Sequence, residues 1–189
     1  MLVLFHDYTS PASAVAVLRL HRLIRDGVPA RIRGTEVVAV EATLPVTLDL
    51  LAELDAVADE ARAEGIELRR PPALPPTGLA HVVEDVAARH GLDMAWREHC
   101  YRAYWTDGVD IGDGGQLRRL AGQAGLPVPE VLEALDDRVA LLAVHRRSAG
   151  DRRNGIGGVP TIDYDRSLVP GLLPEADLRA LAALGASGS

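Results

Sequence analysis

Two serines three positions apart, Ser10 and Ser13, bracket Pro11-Ala12 directly after a short apolar run, Leu2-Val3-Leu4-Phe5. Serine before proline is a helix-start signal: the serine oxygen can accept from free amides of the first turn, and proline fits the first helical position. At such a tip the aligned peptide dipoles and unpaired N–H groups favour an anion. Serine there is no nucleophile at neutral pH without a nearby general base, but its hydroxyl can donate a hydrogen bond to an anion brought in by another molecule. The plainer reading makes Ser10 a helix cap worth about 1 kcal/mol and Ser13 an ordinary residue one turn further in. Late in the chain, Gly158-Val159-Pro160-Thr161 places a proline at the start of a second apolar run.

Other reactive residue types form weaker patterns. His6 and Asp7 lie near Ser10, but triads are assembled from separated segments rather than sequence neighbours; Asp7 is kept only as a polar group that could face the same site. Arg146, Arg147, Arg152 and Arg153 precede the late proline. Of these, Arg152 and Arg153 could grip a carboxylate with two-pronged contacts, against the alternative of a solvated helix end with favourable charge. The single cysteine, Cys100, excludes an internal disulfide and an in-chain dithiol centre. It reads as a small buried hydrophobe, because adjacent helix positions such as His99 and Cys100 diverge by about 100°. His81 and Glu84 share one helix face, but no further ligand is evident to complete a site, so no metal is expected. Trp96, Tyr101, Tyr104 and Trp105 read as core.

The elements that would position these residues follow from periodicity. Leu2–Phe5 suits a buried parallel strand, followed by a helix from Pro11 to Asp26-Gly27. Ala30 to Val40 reads as a second strand, and Thr47 to Glu64 as a helix with Leu50, Leu51, Leu54, Val57, Ala58 and Ala61 on its core face. The proline-dense stretch Pro71 to Pro76 cannot be helix or central strand and reads as a link into another layer. Helices are expected over Leu79–His90, Met94–Trp105, Gly115–Ala124 and Pro129 to about Ser148. A strand at Gly157–Ile162, a hairpin partner at Ser167–Val169 and a helix over Glu175–Leu184 close the pattern, with Gly185–Ser189 expected to fray.

Composition limits the partners. The chain has 189 residues and a net charge of −7, and every basic residue is arginine. That balance argues against nucleic acid, whose affinity rests on clustered positive charge. No apolar run approaches the roughly 20 residues of a membrane span, and the start lacks a signal-peptide pattern. A cytoplasmic protein without membrane or nucleic-acid partners is therefore expected. A homodimer stays open.

The order strand, helix, strand, helices, two strands, helix, with Ser10-Pro11-Ala12-Ser13 after the first strand and Gly158-Val159-Pro160-Thr161 opening the late one, resembles the DsbA-like branch of the thioredoxin superfamily. In that family a Cys-Pro-x-Cys motif begins the first helix and a cis proline faces it. Ser10 and Ser13 occupy the two cysteine positions, and Pro160 matches the cis proline. Glu98-His99-Cys100-Tyr101-Arg102-Ala103-Tyr104-Trp105, with Gly108-Val109-Asp110-Ile111 and Pro75-Pro76-Thr77 before Ala80-His81, looks like the helical insertion of FrnE-type members. The resemblance implies an α/β thioredoxin fold with an inserted all-helical domain: residues 1–74 and 151–189 form the thioredoxin-like part, and 75–150 the insertion.

Serine at the first motif position is similar to 2-hydroxychromene-2-carboxylate isomerases and kappa-class glutathione transferases, which activate a bound thiol. The resemblance thus implies a thiol-assisted isomerase or transferase acting on a small electrophilic, carboxylate-bearing substrate. Ser10 would polarise the thiol; Ser13, Asp7 and the Val159 backbone beside Pro160 would line its site; Arg152 or Arg153 would anchor the substrate. The cofactor would be a low-molecular-weight thiol. Ala12 replaces the aromatic residue usual in that subgroup, and Gly171-Leu172-Leu173-Pro174 replaces its polar glutathione contacts, so glutathione is disfavoured. The rival readings are a catalytically silent binding protein and, least favoured, oxidoreduction through Cys100.

Overall fold

A computed structural model of the chain describes residues 1–186. Its centre is a four-stranded sheet in the order β2-β1-β3-β4. Strand β1 (Leu2–His6) runs parallel to β2 (Ala30–Gly34) and antiparallel to β3 (Thr161–Tyr164), which forms a hairpin with β4 (Ser167–Pro170). β1 is apolar on both faces because both are covered, whereas Arg31 and Arg33 alternate outward from β2, as an edge strand permits. Helix α1 (Pro11–Arg25) starts directly behind the mouth of β1 and is buried along most of its length. It packs on β1, on α2 (Leu48–Ala63) and on α4 (Asp93–Trp105).

The helices between the two halves of the sheet are α3 (Gly78–Arg89), α4, α5 (Gly114–Gln123), α6 (Val128–Asp136) and α7 (Arg138–Arg153). The apolar faces of α3 to α6 join those of β1, α1 and α2 in one continuous buried cluster, with Trp96, Tyr101, Tyr104 and Trp105 inside it. Two of these aromatics tie the helices to the chain just after β1: the Trp105 indole N–H donates to the Tyr8 carbonyl at 3.0 Å, and the Tyr101 hydroxyl lies 3.2 Å from that of Asp7. α8 spans Glu175–Ala186, two residues beyond the expected end at Leu184; of the expected tail, residues 187–189 lie outside those described.

Two expectations from periodicity are corrected. The second strand stops at Gly34 instead of running to Val40. Thr35 makes one last backbone bond to His6, after which Glu36 N donates to Ser148 Oγ at 2.9 Å and Val37 N to Asp7 Oδ2 at 2.8 Å. Side chains from other elements thus take the donors a strand would need, and Val37, Val38 and Val40 are left exposed. The expected single helix from Pro129 is two, α6 and α7, because Asp137 takes an extended ψ of 103° and its carboxylate accepts from Val139 N at 2.8 Å. An aspartate can cap a new helix as readily as it sits in an old one.

Candidate functional site at the tip of helix α1

Ser10 caps α1 from extended backbone, its Oγ accepting from Ser13 N at 3.1 Å, with Pro11 in the first turn. The Val159–Pro160 peptide, which is cis, faces this tip, and Ser10 Oγ lies 3.4 Å from the Val159 carbonyl oxygen. Residues 149 positions apart in sequence therefore meet where the first helix begins. The same Oγ is 3.5 Å from Glu53 Oε1 of α2, an oxygen that also accepts from Ala12 N at 3.4 Å. One hydroxyl proton faces two long acceptors, and neither distance makes a strong bond. The donor is thus easily redirected.

Glu53 is the residue that sequence reading missed. Burial raises its carboxyl above the usual range, partly offset by the Ala12 N–H and the Ser10 hydroxyl. It sits mid-helix with no flanking motif. The available signal was the helical period, which sets residues 50, 54 and 57 inward and leaves 53 on the face turned toward α1.

The other expected site residues separate from Ser10 in instructive ways. Ser13 is fully buried, and its Oγ has no hydrogen-bond partner. Its amide, not its hydroxyl, is what reaches the tip. Arg152 Nη1 donates to the Glu36 carbonyl at 2.8 Å, while Arg153 is exposed. Among the described residues no hydrogen bond or ion pair links either arginine to Ser10. Cys100 is buried, and burial with the nearby Glu84 and Asp7 charges pushes its thiol well above the normal range.

Asp7 turns away from the tip into a second cluster behind it. There His81 Nε2 is 3.4 Å from Asp7 Oδ1 and His81 Nδ1 is 3.2 Å from Glu84 Oε2. Carboxylates only accept, so both ring nitrogens carry protons and His81 is an imidazolium. Burial alone would lower its pKa, but the two carboxylates outweigh it and lift the value to about 9. Glu84 also accepts from Tyr8 Oη at 2.8 Å and from Arg97 Nε at 2.7 Å, and His6 Nε2 is 3.2 Å away. Despite complete burial, the Arg97 guanidinium first, and then the hydrogen bonds from His6 and His81, hold Glu84 well below the carboxylate range. His6, its pKa depressed by burial, lies with Nε2 3.2 Å from Glu84 Oε1 and Nδ1 2.8 Å from the Tyr101 hydroxyl.

This cluster also corrects the argument that His81 and Glu84 lack a third ligand. His6 supplies one: an atom of each residue lies within 4.8 Å of the others. The charge a cation would bring is already provided by Arg97 and His81 against Asp7 and Glu84, and the seven side chains join the end of β1 to α3 and α4.

Comparison with known proteins agrees with this architecture. The DSBA-like thioredoxin domain model matches residues 1–182, and the chain belongs to that family. Among solved structures, a probable DsbA oxidoreductase from Streptomyces coelicolor superposes with a TM-score of 0.85 at 23% identity, over 100% of this chain and 90% of that one. A 2-hydroxychromene-2-carboxylate isomerase gives 0.77 at 18% identity, over 98% and 94%. A cytosolic disulfide reductase, DsbM from Pseudomonas aeruginosa, solved with GSH, gives 0.67 at 16% identity, over 98% and 97%. At these identities the likeness is one of fold. No curated protein matches the chain. Among the described residues no helix is long and apolar enough to cross a membrane.

Proposed function

We propose that this protein binds a low-molecular-weight thiol at the tip of α1 and uses it to isomerise, or to transfer the thiol to, a small electrophilic substrate. The observation that carries this reading is the position of Ser10 Oγ: at the helix cap, 3.4 Å from the Val159 carbonyl and 3.5 Å from the Glu53 carboxylate. With no partner cysteine in the chain, sulfur chemistry at this tip needs sulfur from outside. An incoming R–SH gives its proton to Glu53, whose raised pKa brings it closer to a thiol's value of about 8.5. The negative charge then passes from the carboxylate to sulfur, which takes the Ser10 hydroxyl and the Ala12 N–H, freed from Glu53, as donors. The thiolate adds to an electrophilic carbon. In transfer the C–S bond persists and a leaving group departs with the electron pair; in isomerisation the C–S bond breaks again after rotation. The isomerase and the GSH-bound reductase among the structural neighbours support a thiol as the ligand class.

A second reading, a catalytically silent binding protein, is favoured by one observation: Glu53 already takes the Ala12 amide at the place an anionic sulfur would occupy. A thermal-shift screen with glutathione, cysteine and N-acetylcysteine separates the two, since a ligand of the native state raises stability by mass action. The thiol reading expects a shift with at least one thiol that is lost in S10A and E53Q together with adduct formation on an activated aryl halide. Equal adduct rates with native protein and S10A would overturn it.

A further inference from the structure

We propose that the cleft between residues 36–41 and α7 is a binding site for an organic ammonium ion carrying one small apolar group. The cleft has a volume of about 190 Å³ and is walled by Val40, Pro76, Leu79 and Leu141, with Glu36, Glu41 and His145 among its polar residues. It holds one ring or a short chain. Ser10 is not part of its wall.

Glu36 gives the cleft its chemistry. The residue is 2% exposed, yet its Oε2 has no hydrogen-bond partner. His145 Nε2 comes within 3.4 Å of that oxygen without hydrogen-bond geometry. The backbone of Glu36 is held from both sides, its N–H by Ser148 Oγ and its carbonyl by Arg152, which fixes the point from which the side chain enters the cleft. A buried carboxylate oxygen without a donor is costly, and a ligand N–H directed at it recovers that cost. With Glu36 and Glu41 set against the single imidazole of His145, the polar walls carry more acid than base, which disfavours a carboxylate ligand and favours a cation. The apolar walls select an organic one over a hydrated metal ion, which needs several oxygen ligands. Gly78 keeps the floor close: a Cβ there would lie 2.7 Å from Leu141 Cδ1 and 2.9 Å from Glu36 Oε1.

The site stands apart from the thiol reading, and its test reads binding alone. Titration of the full chain with benzylammonium chloride, followed by NMR, is expected to give saturable shifts at Leu79, Leu141 and Glu36. Benzyl alcohol and benzoate should bind at least about tenfold more weakly, the scale of one lost charge-assisted bond. E36Q should weaken benzylammonium similarly, and L141W, which fills a half-buried wall position, should abolish binding should E36Q not fold. S10A should bind as the native protein does. Equal binding of benzyl alcohol or benzoate, or native-like binding by both E36Q and L141W, or no saturable shift, would overturn the proposal.

Discussion

His81 should make this protein lose stability as pH rises through the mildly alkaline range. Its pKa is about 9 in the fold, against 6.5 for an ordinary histidine. Below pH 6.5 native and unfolded chains both carry the proton, and the contribution is fully present. Between 6.5 and about 9 the unfolded chain has released it while the native state keeps it, so stability falls with pH. The gap corresponds to about 3 kcal/mol in full, of which about 2 kcal/mol is lost between pH 6.5 and 8.5. With a urea m-value of about 2 kcal/mol/M, the unfolding midpoint should drop by about 1 M over that interval. The window closes near pH 9, where the Cys100 thiol, held up by burial, begins to add a loss of its own. An H81Q variant should be less stable overall and flat across the window. Nitrogen-15 NMR of the native protein at pH 7 should show both His81 ring nitrogens protonated. A pH-independent midpoint, or a neutral ring at pH 7, would refute the assignment of His81 as a buried imidazolium.

The same cluster makes the acid side steep. His6 stays neutral in the fold while Glu84 and Asp7 stay ionised, so all three oppose protonation and stability should fall continuously below pH 6.5, as urea midpoints at pH 4 to 6 will show. R97M should cost about 3–5 kcal/mol by leaving Glu84 underpaired in the interior, measured by denaturant unfolding at pH 7. G34A should prevent normal docking of α3 on β2, because a Cβ at residue 34 would sit 2.2 Å from His81 Nδ1; a drop in melting temperature at least as large as that of R97M is expected. Cys100 should resist a thiol-specific dye in the folded protein and react on addition of denaturant.

The start of α1 was legible from sequence because its signals are local: Ser10 and Pro11 cap the helix within two residues, and the apolar run before them has one environment to fill. The meeting of that tip with Pro160 was also legible, through two short motifs with a family precedent. What could not be read was who else arrives. Glu53 reaches Ser10 from mid-helix, and His6 finds Glu84 across 78 positions, each through a single side chain that no pattern flags. Polar residues inside apolar periods, His6 and Asp7 on β1's end and His81 and Glu84 on α3, were the available sign that a paired network must exist. The false extension of β2 came from trusting Val37-Val38-Ala39-Val40 as a strand, when Asp7 and Ser148 take the backbone donors that the ladder would have required.

The most direct test of a borrowed sulfur at the α1 tip is ultraviolet difference absorbance of the native protein titrated with the thiol that gives the largest thermal shift. A thiolate band should grow to saturation at neutral pH and be lost in both S10A and E53Q. No thiolate band at saturating thiol, or the same band in S10A, would contradict the account.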